Sequence, residues 1–153
     1  MGDIKIADSS IEIVKVKAKK LMPKLRTLLK EIRNLGKLEY DSLSISEKTD
    51  LQLLEDLSSE VDELHCNLQY IIAEKDEPYN LKKGKYGRYM LDDQYLDSRF
   101  PFDILVPDEQ SRDPENKVWI KVYVTEDRKG NLSILERPEI QLVGLTARHR
   151  LTW

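Results

Sequence analysis

The sequence predicts an α+β chain. An antiparallel, coiled-coil-like helical hairpin spans residues 1–77, and a small SH3-like, five-stranded antiparallel β module spans residues 78–153. Three observations lead there. Leucine, isoleucine and valine recur at alternating spacings of three and four over residues 9–35 and again over 54–71, the period of a helix that buries one seam. After Pro78 this period gives way to short β-branched and aromatic runs parted by turn residues. Charge is also segregated along the chain, although the net value is only −3. Residues 9–40 hold nine Lys and Arg against three Asp and Glu, whereas residues 41–77 hold two against eleven. A block of +6 followed by one of −9 suits two helices that use charge to select their pairing.

In the first helix the stripe comprises Ile11, Val14, Ala18, Leu21, Leu25, Leu28, Ile32 and Leu35. Ser9 with Glu12 spells a capping box at its start, and Gly36 suits the left-handed residue just past its end. Pro23 falls inside the run and removes a backbone donor, a defect of about 3 kcal/mol in a helix interior. Two readings follow: a helix kinked at Pro23, or a shorter helix beginning there, with Ile11–Lys17 as a strand. The kinked helix is favoured because the stripe stays in register across the proline.

The second helix begins near Ser44 or Ser46, since Ser44 with Glu47 is again a capping box. It runs through Leu54, Leu57, Val61, Leu64, Leu68 and Ile71 to Asp76-Glu77-Pro78. The helix–helix interface is therefore expected at Val14, Leu21, Leu25, Leu28 and Ile32 against Leu54, Leu57, Val61, Leu64, Leu68 and Ile71. Met22, Leu29, Leu51 and Ile72 lie beside this seam and widen it. A wide apolar stripe asks for a third surface, either the β module or a second copy of the chain.

The β module is expected to hold strands at Arg88–Leu91, Phe102–Val106, Val118–Val124 and Leu132–Leu135, with a last one between Leu142 and Leu151. Glu126–Asn131 supplies a hairpin turn. Gly87-Arg88-Tyr89 opening a strand, the Trp119-centred strand, the hairpin and the closing Leu142-Val143-Gly144-Leu145-Thr146-Ala147-Arg148 carry a resemblance. Over about residues 85–151 the chain resembles a family of small uncharacterised bacterial domains found in Gram-positive bacteria and their mobile elements. The resemblance implies a compact β fold and a bacterial cytosolic setting, and it transfers no catalytic residue. The segment around residues 107–117 and the helical part depart from that family's pattern.

Signals for chemistry are few. There is no phosphate-binding Walker loop, HExxH or EF-hand loop. His65 and Cys66 are adjacent, so on a helix their side chains diverge by about 100° and do not form a base–nucleophile pair. Cys66 is expected on an outer face as a passive thiol, and the single cysteine fits a reducing compartment. The acidic run Glu55, Asp56, Glu60, Asp62 and Glu63 reads as a solvated face, and Asp92-Asp93 with Asp97 as turn residues. Gly84-Lys85-Tyr86-Gly87 matches the spacing of a GxxG backbone clamp, but a strand rather than a helix should follow it.

No catalytic residue, metal site or cofactor is expected. The leading expectation is a non-enzymatic protein-interaction or adaptor protein, cytoplasmic, partnered by another protein or by itself as a homodimer. The N-terminus MGDIKIADSS lacks the basic and apolar regions of a secretory signal, no stretch suits a membrane span, and no membrane partner is expected. The alternative is a nucleic-acid-associated accessory protein. Lys82, Lys83, Lys85 and Arg88, with Tyr86 and Tyr89 interleaved and Arg148 and Arg150 alongside, could form a basic, stacking rim.

Overall fold

The computed structural model describes the backbone of residues 2–151 and the side chains of residues 10–150. The chain forms two compact units that divide between Ala73 and Glu74.

The first unit holds two long helices, α1 (Gly2–Asn34) and α2 (Ile45–Ile72). Helix α1 starts upstream of the expected cap: Ser9 lies within it, its side chain being outside the described residues, and Glu12 pairs with Lys15 at 3.4 Å. The helix runs through Pro23 without a break, so residues 11–17 are helical and not a strand. Pro23 is exposed, where water can satisfy the carbonyl that its missing N–H leaves unpaired. The Thr27 hydroxyl donates to the Pro23 carbonyl at 3.0 Å. Gly36 does not adopt the left-handed conformation expected of it. It sits in a tight 3₁₀ turn, Leu35–Lys37, which ends the helix without that cap. At α2 the capping box forms as the sequence implies: the Glu47 N–H donates to Ser44 Oγ at 3.2 Å, and the Ser44 N–H to Glu47 Oε1 at 3.3 Å. Helix α2 stops at Ile72 rather than at Pro78, because Glu74 and Lys75 pair as a strand with the chain's end.

The seam is rotated from its expected place. Its α1 side is Ala18, Met22, Leu25, Leu29 and Ile32, and its α2 side Leu54, Ser58, Val61, His65, Leu68 and Ile72, all buried or half-buried. Val14, Leu21 and Leu28, with Leu57, Leu64 and Ile71, are exposed instead. Each helix thus keeps one expected position per heptad and replaces the other by the next residue along. The stripe is wider than one neighbour can cover, and Met22 and Leu29 are as apolar as Leu21 and Leu28, so either edge can turn inward. Among the described residues, no Lys or Arg of α1 makes an ion pair with a carboxylate of α2.

The second unit is built from short antiparallel strands rather than a closed five-stranded barrel. In chain order they are β1 (Glu74–Lys75), β2 (Tyr79–Asn80), β3 (Lys82–Lys83), β4 (Tyr89–Leu91), β5 (Gln94–Tyr95), β6 (Phe102–Pro107), β7 (Lys117–Val122), β8 (Val124–Glu126), β9 (Leu132–Ile134), β10 (Thr146–Arg148) and β11 (Arg150–Leu151). They pair as β1-β11, β2-β10-β6-β7, β3-β4-β5 and β8-β9. Two expected strands are each broken in two. Tyr123 separates β7 from β8 because its N–H turns to the Glu136 carboxylate, at 3.0 and 3.2 Å, and leaves the ladder. In the last segment, Leu142–Leu145 forms a turn around Gly144 (φ 78°), and His149 divides β10 from β11.

The core gathers Leu81, Leu91, Phe102, Ile104, Val106, Val122, Val124, Ile134, Leu142 and Ala147. Phe102, Ile104 and Val106 alternate along β6 and so share the core face of the longest hairpin, β6–β7. Among the described residues no helix is long and apolar enough to cross a membrane.

Candidate functional site

Strands β3 and β4 form a small hairpin whose tip is Gly84–Arg88. The tip closes through Gly84 N–H donating to the Arg88 carbonyl at 2.6 Å and Arg88 N–H donating to the Lys85 carbonyl at 3.3 Å. A Cβ on Gly84 would meet Met90 Sδ at 3.0 Å and the Arg88 carbonyl at 3.2 Å, so the turn tolerates little beyond glycine there. The next two residues of the tip take positive φ, which strains the tyrosine but not the glycine. Tyr86 has φ 62° and ψ 27°, and Gly87 φ 72°. Glycine takes that conformation freely, whereas an L-residue does so at a cost of about 1–2 kcal/mol. The result is a tyrosine that is 97% exposed at the tip.

Beside the tip lies a groove of about 540 Å³. One wall is Tyr86, Gly87 and Arg88, and the Arg88 guanidinium lies 5.7 Å from the centre of the Tyr95 ring, another lining residue. Asp97 and Ser98 continue the lining. The Asp97 carboxylate accepts from the Arg99 guanidinium at 2.7 and 3.1 Å, and Arg99 holds its pKa down to about 2, through the side-chain bonds first and the Arg99 N–H second. Its charge is thereby countered locally. The facing wall comes from the β8–β9 hairpin through Glu126, Gly130 and Leu132. That hairpin's turn is held by Asp127, whose carboxylate accepts from the N–H groups of Lys129 (2.8 Å) and Asn131 (2.9 Å).

The residues expected to form a basic rim divide into two groups. Lys82, Lys83, Lys85, Tyr86 and Arg88 are exposed together on the one hairpin. Tyr89 is half-buried and packs against the core. Arg148 and Arg150 do not join the rim. Their Nε atoms donate to one carboxylate oxygen of Asp103, at 3.0 and 2.9 Å, and Asp103 is 1% exposed. The Arg148 guanidinium also lies 4.1 Å from the centre of the Trp119 ring. A charge buried in a strand must be paired, so the Asp inside Phe102–Val106 was the signal that two nearby arginines had a structural duty. Sequence order marks Glu126, Arg128 and Lys129 only as parts of a hairpin turn and gives no signal for Tyr95, because only the fold brings the two hairpins side by side.

A second surface lies on the helical unit. The exposed residues Val14, Leu21 and Leu28 on α1 and Leu57, Leu64 and Ile71 on α2 recur every seven residues. Of the expected interface, Ile32 and Val61 are buried, and Leu25, Leu54 and Leu68 half-buried. His65 is buried in the seam, and among the described residues its Nε2 has no hydrogen-bond partner. Cys66 beside it is exposed. Among the described residues, no three His, Cys, Asp or Glu side chains converge as a metal site would require.

In comparisons with known proteins, no family model, no curated protein and no solved structure matches the chain.

Proposed function

We propose that this chain is a non-enzymatic interaction protein that self-associates through its helical hairpin. The observation that carries the reading is the exposed apolar row, Val14, Leu21 and Leu28 with Leu57, Leu64 and Ile71, running beside the buried seam. At 100° per residue, both sets are displaced from the buried line in the same angular sense. The ten residues from Leu35 to Ser44 connect the helices, and a connection of this length favours an antiparallel pair. In an antiparallel pair, equal angular displacements fall on the same side, which makes one continuous apolar face from both helices.

A second copy is the occupant that charge favours. On α1, Lys17 and Lys24 sit one turn from the apolar residues of the row; on α2, Glu60 does the same between Leu57 and Leu64, and Asp56 lies one turn before Glu60. Two such faces related by a two-fold axis, with α1 over the partner's α2, set lysines against carboxylates in a four-helix bundle. Among the described residues the basic helix and the acidic helix form no ion pairs with each other, so a partner's charges do not have to displace any such pair. A cytoplasmic setting in a Gram-positive bacterium or its mobile elements belongs to the same reading and rests on the sequence resemblance.

Sedimentation equilibrium of the whole chain tests this. A dimer is expected at micromolar concentration. Leu21→Lys with Leu64→Lys should give a monomer with its helical circular dichroism retained, since both positions are exposed. A monomer at every concentration would end the proposal.

A further inference from the structure

The hairpin tip carries an inference that goes beyond self-association and does not depend on it. We infer that Tyr86 and the groove beside it bind single-stranded nucleic acid. The ring of Tyr86 stacks on a base, and Lys82, Lys83, Lys85 and Arg88 neutralise the flanking phosphates.

The backbone is the starting point. A tyrosine in the left-handed region is a strained residue, and strain of this kind marks places where a side chain is held for use. Here it holds a ring with 97% of its surface in solvent, where burial contributes nothing to stability. A flat π-surface open on both faces is what an unpaired base stacks on, whatever its sequence. Four cations lie within four residues of that ring in the chain, on the same hairpin.

The groove extends the platform. Arg88 over Tyr95 provides a second stacked plane, and about 540 Å³ is enough for a nucleotide alongside the one on Tyr86. The far hairpin, whose Glu126 and Gly130 line the groove, carries Arg128 and Lys129 in its turn. Of the nearby carboxylates, Asp97 is bonded to Arg99 and Asp127 is engaged by its own turn, which leaves Glu126 as the acidic group in the lining. The Asp92-Asp93 turn lies at the opposite end of β4. An acidic peptide would answer to the same cations, but it has no use for an isolated, fully exposed ring. A duplex hides its base faces.

The probe is a fluorescein-labelled oligothymidylate of about twelve nucleotides, with the whole chain titrated into it and anisotropy read across a salt series. Binding should weaken steeply with salt, with a log–log slope of about −3 for four phosphate contacts on a single strand. Tyr86→Asn keeps a residue that accepts the left-handed turn and removes the ring; affinity should fall about tenfold with the slope unchanged. Tyr86→Phe should bind like the parent. Lys82→Ala, Lys83→Ala and Lys85→Ala together should flatten the slope by about two. The inference is overturned if no saturable binding occurs at low salt, if Tyr86→Asn binds like the parent, or if a duplex or a polyglutamate peptide competes as well as unlabelled single strand.

Discussion

Leu28 and Leu29 are consecutive on α1 and chemically identical, yet Leu29 is 5% exposed and Leu28 38%. A one-residue step turns a side chain by 100°, enough to carry it from the covered edge of an apolar stripe to the open one. This single pair records which way the helix faces.

Leu29→Ala should therefore destabilise the helical unit by about 2–4 kcal/mol, through lost transfer energy and a cavity. Leu28→Ala should cost less than about 1 kcal/mol in the same assay. Urea denaturation followed at 222 nm, on protein kept dilute enough to be monomeric, distinguishes them. The reverse order would restore the heptad seam that the sequence suggests.

Self-association should respond to the charges that border the exposed row. Lys17→Glu with Lys24→Glu should weaken the dimer about tenfold at low ionic strength. Adding Asp56→Lys and Glu60→Lys should recover most of that loss. Sedimentation velocity reads both. Equal dimerisation by all three proteins would remove the partner helix from the argument.

Asp103 anchors the β unit. Asp103→Asn removes the charge of the carboxylate that accepts from both Arg148 and Arg150, whose side chains are mostly buried. Removing one member of a buried charge cluster costs about 3–5 kcal/mol, so thermal unfolding followed by tryptophan fluorescence should move down by many degrees. Arg99→Ala, which removes an exposed ion pair with Asp97, should move it hardly at all.

His149 gives the β unit a dependence on pH. Burial pushes its pKa down, with Asp76 opposing, and among the described residues its Nε2 has no hydrogen-bond partner. A folded-state pKa below the unfolded value of about 6.5 means that the unfolded chain binds the proton more tightly. The contribution is fully present above about pH 6.5 and is lost as pH falls through the folded value. The Tm should accordingly drop between pH 7 and pH 5, and His149→Gln should shrink the drop. An identical drop in both proteins would assign it elsewhere.

The N-cap of α2 is the simplest of these expectations. Ser44→Ala removes the acceptor for the Glu47 N–H and should cost about 1 kcal/mol.

Local rules were legible in the order of residues. The capping box at Ser44, the hairpin at Glu126–Asn131, the strand at Phe102 and the change of period after Pro78 each depend on neighbours a few positions away. The same holds for the exposed cations on the Lys82–Arg88 hairpin. Misreadings arose where a local signal competed with a distant partner. Gly36 lacked the left-handed turn because a 3₁₀ turn served instead, and α2 stopped short because Glu74-Lys75 had Arg150-Leu151 to pair with. Arg148 and Arg150 looked like free charge until Asp103 was placed between them.

The order of residues thus determined that there would be two long amphipathic helices and a run of short strands, since period and capping act within one or two turns of chain. Tertiary structure decided which edge of the helical stripe is covered, and it set Asp103 beside its two arginines and a groove beside Tyr86. Those outcomes turn on residues far apart in sequence, whose meeting depends on the packing of whole elements and on which of several nearly equal faces gains a neighbour.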